Sequence, residues 1–187
     1  MYLITKFILK KKIKSISTRV HKILSSRKIK LGAVESLTGG LIADCLISNS
    51  GSSAYFDSGC ITYSNRAKTA IAGVPHSVLQ IHGAVAAETA RDMCQAYAGR
   101  YQLDAVIAAT GIAGPGGGTA NKPVGTVYIA VYYKNKTEVQ YNLFSGKRQV
   151  VRLKAVYQAL CLLIKIINME TADKGNFNIP LQPRQPC

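Results

Sequence analysis

Residues 31–43, LGAVESLTGGLIA, constrain the fold more than any other stretch of the chain. Four small or apolar residues, Leu31 to Val34, run into Glu35 and Ser36. Thr38 and two glycines follow, and an apolar pattern of helical spacing resumes at Leu41. A buried strand that ends in a polar turn and feeds a helix has this form. In an open α/β sheet such a junction lies at the carboxyl edge of the strands, where ligands bind. Ser36 thus stands where a reactive group would be useful, although a serine at a strand end is more often a helix cap. Ser36 and Thr38 are both candidates for that cap.

The remaining segments sort by period. Residues 13–26 suit an amphipathic helix, with Ile13, Ile16, Val20, Ile23 and Leu24 on one stripe. Residues 28–34 and 59–63 read as strands. Ser64 or Asn65 caps a helix reaching about Ala72, which Gly73-Val74-Pro75 stops. The segment to Gly83 is irregular or briefly helical. In residues 87–97, Ala90, Met93, Cys94 and Tyr97 follow the i, i+3, i+4, i+7 pattern of a helix. Residues 103–109 are apolar except for Asp104, as in a strand covered on both faces. Residues 124–133 and 138–144 form a hairpin, with Val139, Tyr141 and Leu143 alternating with polar residues in its second strand. Residues 150–168 form the longest helix, with Leu153, Val156, Tyr157, Leu160, Leu163, Ile164 and Ile167 as its buried stripe. This order predicts an α/β fold, a three-layer α/β/α sandwich with a mixed sheet of about five or six strands. Residues 1–12 read as a basic extension, 13–168 as the domain and 169–187 as a loose tail.

Composition narrows the chemistry. The five cysteines include no CxxC pair and are odd in number, which argues against a disulfide framework or a thiolate zinc site and for a reducing compartment. His21, His76 and His82 lack metal-ligand spacing, so neither a metal nor another cofactor is expected. The net charge of +15 is uneven: residues 1–30 hold ten Lys/Arg and no Asp/Glu, which leaves 14 basic against 9 acidic residues in the rest. Such an arm reads as a solvated extension, and nucleic acid or anionic lipid are the partners it admits. No apolar run approaches the roughly 20 residues of a membrane span. The opening MYLITKFILKKK places its charges after its apolar residues, unlike a secretory signal, so a cytoplasmic location is expected.

Residues 110–125, TGIAGPGGGTANKPVG, hold six glycines and two prolines between two strands. Gly116-Gly117-Gly118 lets backbone amides approach a ligand closely. A loop this long between packed strands is more often functional than idle. It is neither a P-loop nor a GxGxxG turn. For Ser36 to act as a nucleophile a base is needed. No histidine lies in a partner motif, which leaves lysine. A lysine base must fall from about 10.4 toward 7–8, roughly 3–5 kcal/mol of bias against the ammonium. Lys68 is the best placed. In the first turn of the helix after Ser64 or Asn65 it would feel the dipole, but that supplies only about 0.3–1 kcal/mol, so burial must supply the rest. Tyr63 at a strand end and Lys68 near a helix start can converge.

Taken together, these pieces resemble the CinA C-terminal domain family. The matching segments are AVESLTGGLIA at 33–43, GCITYSNRAKTAIAGV at 59–74, GAVAAETA at 83–90, ATGIAGPGGGTANKPVGTVYIAV at 109–131 and FSGKRQVVR at 144–152. The resemblance implies hydrolysis of nicotinamide mononucleotide to nicotinate mononucleotide and ammonia, with catalytic roles on Ser36, Lys68 and Tyr63. It implies substrate contacts from Glu35, Thr38, Gly39, Gly40, Asn65, Thr110, Gly111, Gly114, Gly116 and Gly117, with the ribosyl phosphate at the glycine loop near Thr110 and Gly111. Amides around residues 38–40 would hold the oxyanion. It also implies a homo-oligomer. A non-enzymatic nucleotide-binding or DNA-associated module is the rival reading, prompted by the basic arm. The family's GAVS is GAVA here, which puts Ala86 in place of a hydroxyl, and its usual Cys after Glu-Ser is Leu37. The pyrophosphatase-associated N-terminal domain of full-length members is not expected, nor is its activity.

Overall fold

The structure, a computed structural model, describes residues 2–175. The elements run α1 (Tyr2–Arg27), β1 (Leu31–Glu35), α2 (Leu41–Ile47), β2 (Phe56–Ile61), α3 (Asn65–Ala70), α4 (His76–His82), α5 (Ala87–Tyr101), β3 (Ala105–Gly111), β4 (Thr126–Tyr133), β5 (Lys136–Leu143) and α6 (Arg148–Gly175). The sheet has the order β2-β1-β3-β4-β5. β1 pairs in parallel with both β2 and β3, while β3–β4 and β4–β5 are antiparallel. This is the expected α/β sandwich with a mixed five-stranded sheet.

Strand pleating divides the core in two. Ala33, Ile107 and Ile129 face the layer of α1, α2 and α6, while Val34, Val106 and Ala130 face α4 and α5. The chain leaves β1 through α2 on one face and reaches β3 through α5 on the other. β1 and β3 therefore flank the switch point of the sheet, and their carboxyl ends open side by side. The α6 stripe is buried as its period predicts, with Tyr157 at its margin.

Several points differ from the sequence reading. β2 spans Phe56–Ile61 and not residues 59–63, so Tyr63 lies beyond the strand end. α1 starts at Tyr2 and not at Ile13, because the lysines of residues 6–12 are good helix formers and Leu9 packs on the core. Tyr141 and Leu143 are exposed, since β5 is an edge strand and only Val139 in that row packs on the α5 side. α6 continues to Gly175, while residues 176–187 of the expected tail lie outside the described residues.

Ala86 is the N-cap of α5, in extended geometry (φ −154, ψ 161) with no side-chain cap bond. A hydroxyl there would accept from the first-turn amides. Ala86→Ser is expected to raise unfolding stability by about 1 kcal/mol in urea titrations, the usual worth of an N-cap.

Candidate active site

β1 ends at Glu35, whose buried side chain turns along the chain toward α2. Its Oε2 accepts from the amides of Gly40 (2.9 Å) and Ile42 (3.1 Å), and its Oε1 from Ala43 (2.8 Å). Glu35, and not Ser36 or Thr38, is the cap of this helix. The carboxylate expected at the substrate is thus occupied with holding α2. The Ser36 amide donates to Ala109 O (2.9 Å), which ties the turn to β3. From the other side, Arg152 donates through Nε to Leu37 O (3.0 Å) and through Nη2 to Thr38 O (2.6 Å). A planar trans peptide points its N–H opposite its carbonyl, so the Thr38 amide faces away from Arg152. Gly39 adopts φ +59, and a Cβ there would lie 3.1 Å from Arg152 Nη2. The amides of Gly39 and Gly40 already donate to Ser36 O and Glu35. Those of Leu37 and Thr38 have no backbone acceptor among the described residues.

The β1–β2 pairing continues one residue past the strands, where the Thr62 amide donates to Glu35 O (2.7 Å). This brings Thr62 alongside Ser36. α3 then folds Lys68 back onto both: its Nζ donates to Thr62 O at 2.7 Å and to Ser36 Oγ at 3.1 Å. Ser64 caps α3, accepting from Ala67 N (3.1 Å). The helix is only six residues long and Lys68 lies in its last turn, so the first-turn dipole argument does not apply. Burial acts instead. Lys68 is 1% exposed, and desolvation pulls its ammonium from 10.5 down to about 8. Roughly a fifth of the amine is therefore neutral near pH 7.4, against about a thousandth for an ordinary lysine, within reach of a buried serine hydroxyl. That pair can carry out proton transfer and nucleophilic attack.

Tyr63 stands at the rim, 64% exposed, and accepts from Arg148 Nη2 at 3.0 Å. Arg148 Nη1 donates to Gly114 O at 2.9 Å, so this arginine links Tyr63 to the glycine loop. Among the described residues, the Tyr63 hydroxyl makes no hydrogen bond to Ser36 or Lys68. Thr110 is buried and donates to Ala84 O at 2.6 Å. At Gly111 a Cβ would lie 2.6 Å from Thr126 O, so β4 requires the glycine. Gly116 and Gly117 are exposed and open. Asn65 is exposed beside Arg66, Thr69, Ala70 and His76 on a separate surface cleft.

Arg148 and Arg152 were given no role by sequence reasoning. The available signal was their spacing: two arginines four apart at a helix start share a face.

The profile of the CinA C-terminal domain family matches residues 13–167. A CinA-like protein of Geotalea daltonii is 44% identical over 146 residues, covering 78% of this chain and 35% of that protein. A CinA-like protein of Syntrophus aciditrophicus is 43% identical over 156 residues, covering 83% of this chain and 37% of that one. The chain thus spans little more than a third of the curated relatives it matches. The competence/damage inducible protein CihA of Agrobacterium tumefaciens superposes with a TM-score of 0.81 at 37% identity, over 84% of this chain and 96% of that one.

Burial of Lys68 has a measurable consequence for stability. Below pH 8 both folded and unfolded chains carry the proton, and the fold bears the full cost of the buried charge. Between 8 and 10.5 only the unfolded chain stays protonated, so stability rises. The gain is about 3 kcal/mol. The Lys68→Met variant should lack it, so the difference between wild type and variant in urea titrations should change across that window. A difference that stays flat would contradict the burial account.

Proposed function

The chain belongs to the CinA C-terminal domain family, and on that premise we propose that it hydrolyses nicotinamide mononucleotide to nicotinate mononucleotide and ammonia. The observation that carries this reading is the buried contact of Lys68 Nζ with Ser36 Oγ at 3.1 Å. A pure binding module has little need of a serine paired with a lysine of lowered basicity.

Neutral Lys68 takes the Ser36 proton as Oγ attacks the carboxamide carbon. The charge that develops on the carboxamide oxygen is met by the amides of Leu37 and Thr38; the Thr38 peptide is fixed by Arg152 at Leu37 O and the Leu37 peptide by the Gly39 amide at Ser36 O. Lys68 returns the proton to the departing nitrogen, which leaves as ammonia and an ester on Ser36. Water then attacks the ester, giving its proton to Lys68; the C–Oγ bond breaks, Lys68 passes that proton to Ser36 Oγ, and nicotinate mononucleotide leaves with both residues in their starting forms. Direct Lys68–Ser36 contact makes a relay through Tyr63 unnecessary, and Tyr63 serves at the rim. The phosphate is received by Arg148, the first residue of α6, with the open amides of Gly116 and Gly117. Thr110 and Gly111 support that loop from the sheet.

The test is ammonia release from purified protein and nicotinamide mononucleotide. Ser36→Ala should reduce release to background. In wild type, kcat/KM should climb about tenfold per pH unit and level above about 8, as Lys68 loses its proton. Arg148→Ala should raise KM about ten- to a hundredfold for the nucleotide, and much less for the phosphate-free nucleoside. Equal ammonia from wild type and Ser36→Ala would overturn the assignment.

A further inference from the structure

The outer face of the first half of α1 plays no part in this chemistry. Leu3, Ile4, Phe7 and Ile8 are 74%, 65%, 58% and 47% exposed. All four precede the family match, which starts at residue 13. At helical spacing they fall within an arc of about 140°. Lys11, Lys14 and Lys22 continue the same arc and are exposed, with exposed Lys10 and Lys12 along its borders. The opposite side of the helix carries Leu9, Ile13, Ile16, Val20 and Leu24, which pack on the core. The exposed arc therefore begins apolar and continues cationic, and residues 2–14 contain no acidic side chain.

The first turn is also held in place. Tyr2 donates to Gln149 Oε1 at 3.2 Å, and Lys147 Nζ lies 5.3 Å from the Tyr2 ring centroid. The four apolar side chains are thus presented outward, on the end of the molecule that carries Arg148. No helix among the described residues is long and apolar enough to cross a membrane.

We propose that this face docks the protein flat on an anionic lipid bilayer, with Leu3, Ile4, Phe7 and Ile8 entering the interface and the lysines meeting the headgroups. Binding at a membrane surface strengthens with the apolar area inserted and with the attraction of cations to anionic headgroups, and this exposed face supplies both. A nucleic acid would match the lysines but leave four apolar side chains in water. A second copy packed α1 against α1 would bring two sets of lysines together with no carboxylate between them.

The experiment is co-sedimentation of the full chain with vesicles of phosphatidylcholine, with and without phosphatidylglycerol. Wild type should pellet with the anionic vesicles, and at least about tenfold less with the neutral ones. Phe7→Ser/Ile8→Ser should weaken partitioning at least about tenfold by removing apolar insertion. Lys10→Gln/Lys11→Gln/Lys14→Gln should abolish the preference for anionic lipid. Circular dichroism melts matching wild type show that both variants fold, and their ammonia release from soluble substrate should be unchanged. Several outcomes would overturn the proposal: no pelleting of wild type with either vesicle, undiminished binding by both variants, self-association in sedimentation velocity that Phe7→Ser/Ile8→Ser removes, or duplex DNA binding without vesicle binding.

Discussion

Glu35 joins the sheet to the reactive turn. Its backbone belongs to the ladder, with its carbonyl accepting from Thr62, while its carboxylate holds three amides at the start of α2. Without that carboxylate those amides would need other acceptors, at about 1–3 kcal/mol for each left buried and unpaired. Ser36 lies between the two attachments, so its position is set by the strand behind it and the helix ahead. Arg152 grips the same turn from α6 and fixes the Leu37–Thr38 and Thr38–Gly39 peptides through their carbonyls. Strand, helix and arginine together give a short turn little freedom to relax, which a preorganised site requires.

Into that fixed turn the fold inserts a buried lysine. Desolvation alone lowers its basicity. The cost is about 3 kcal/mol of stability at neutral pH, a substantial share of the 5–15 kcal/mol typical of a domain. The same burial leaves Nζ with two oxygen neighbours, Thr62 O and Ser36 Oγ. On the proposed reading, stability is thereby exchanged for a base, as is common where strain or burial serves chemistry.

What was legible in the sequence follows from periodicity. The α6 stripe and the alternation in β5 are visible because helices and strands repeat every 3.6 and 2 residues, and β3 is visible as an unbroken apolar run covered on both faces. The α1 start was hidden because only Leu9 among residues 3–12 packs on the core, so no stripe distinguishes helix from extension. The direction of the Glu35 side chain was illegible for another reason: a strand-end carboxylate reads equally well as a ligand contact or a cap. For Gly111, a ligand contact by resemblance, the structure adds a demand of register that the sequence does not display: a Cβ there would meet Thr126 across the β3–β4 pairing. Lys68 reads as the candidate base from its place in the first helical turn after Ser64 or Asn65, and the resemblance gives it the same role. Its burial, the property on which the chemistry turns, depends on how α3 folds back over Thr62 and has no local signature.

The most direct test of the central claim is the titration of Lys68 itself, followed by NMR in protein carrying carbon-13 at the lysine Cε positions and assigned with Lys68→Met. The account predicts one lysine resonance titrating near pH 8, well below the others, and a similarly low midpoint in Ser36→Ala because the cause is burial. A Lys68 midpoint close to its ordinary value of 10.5 would contradict it.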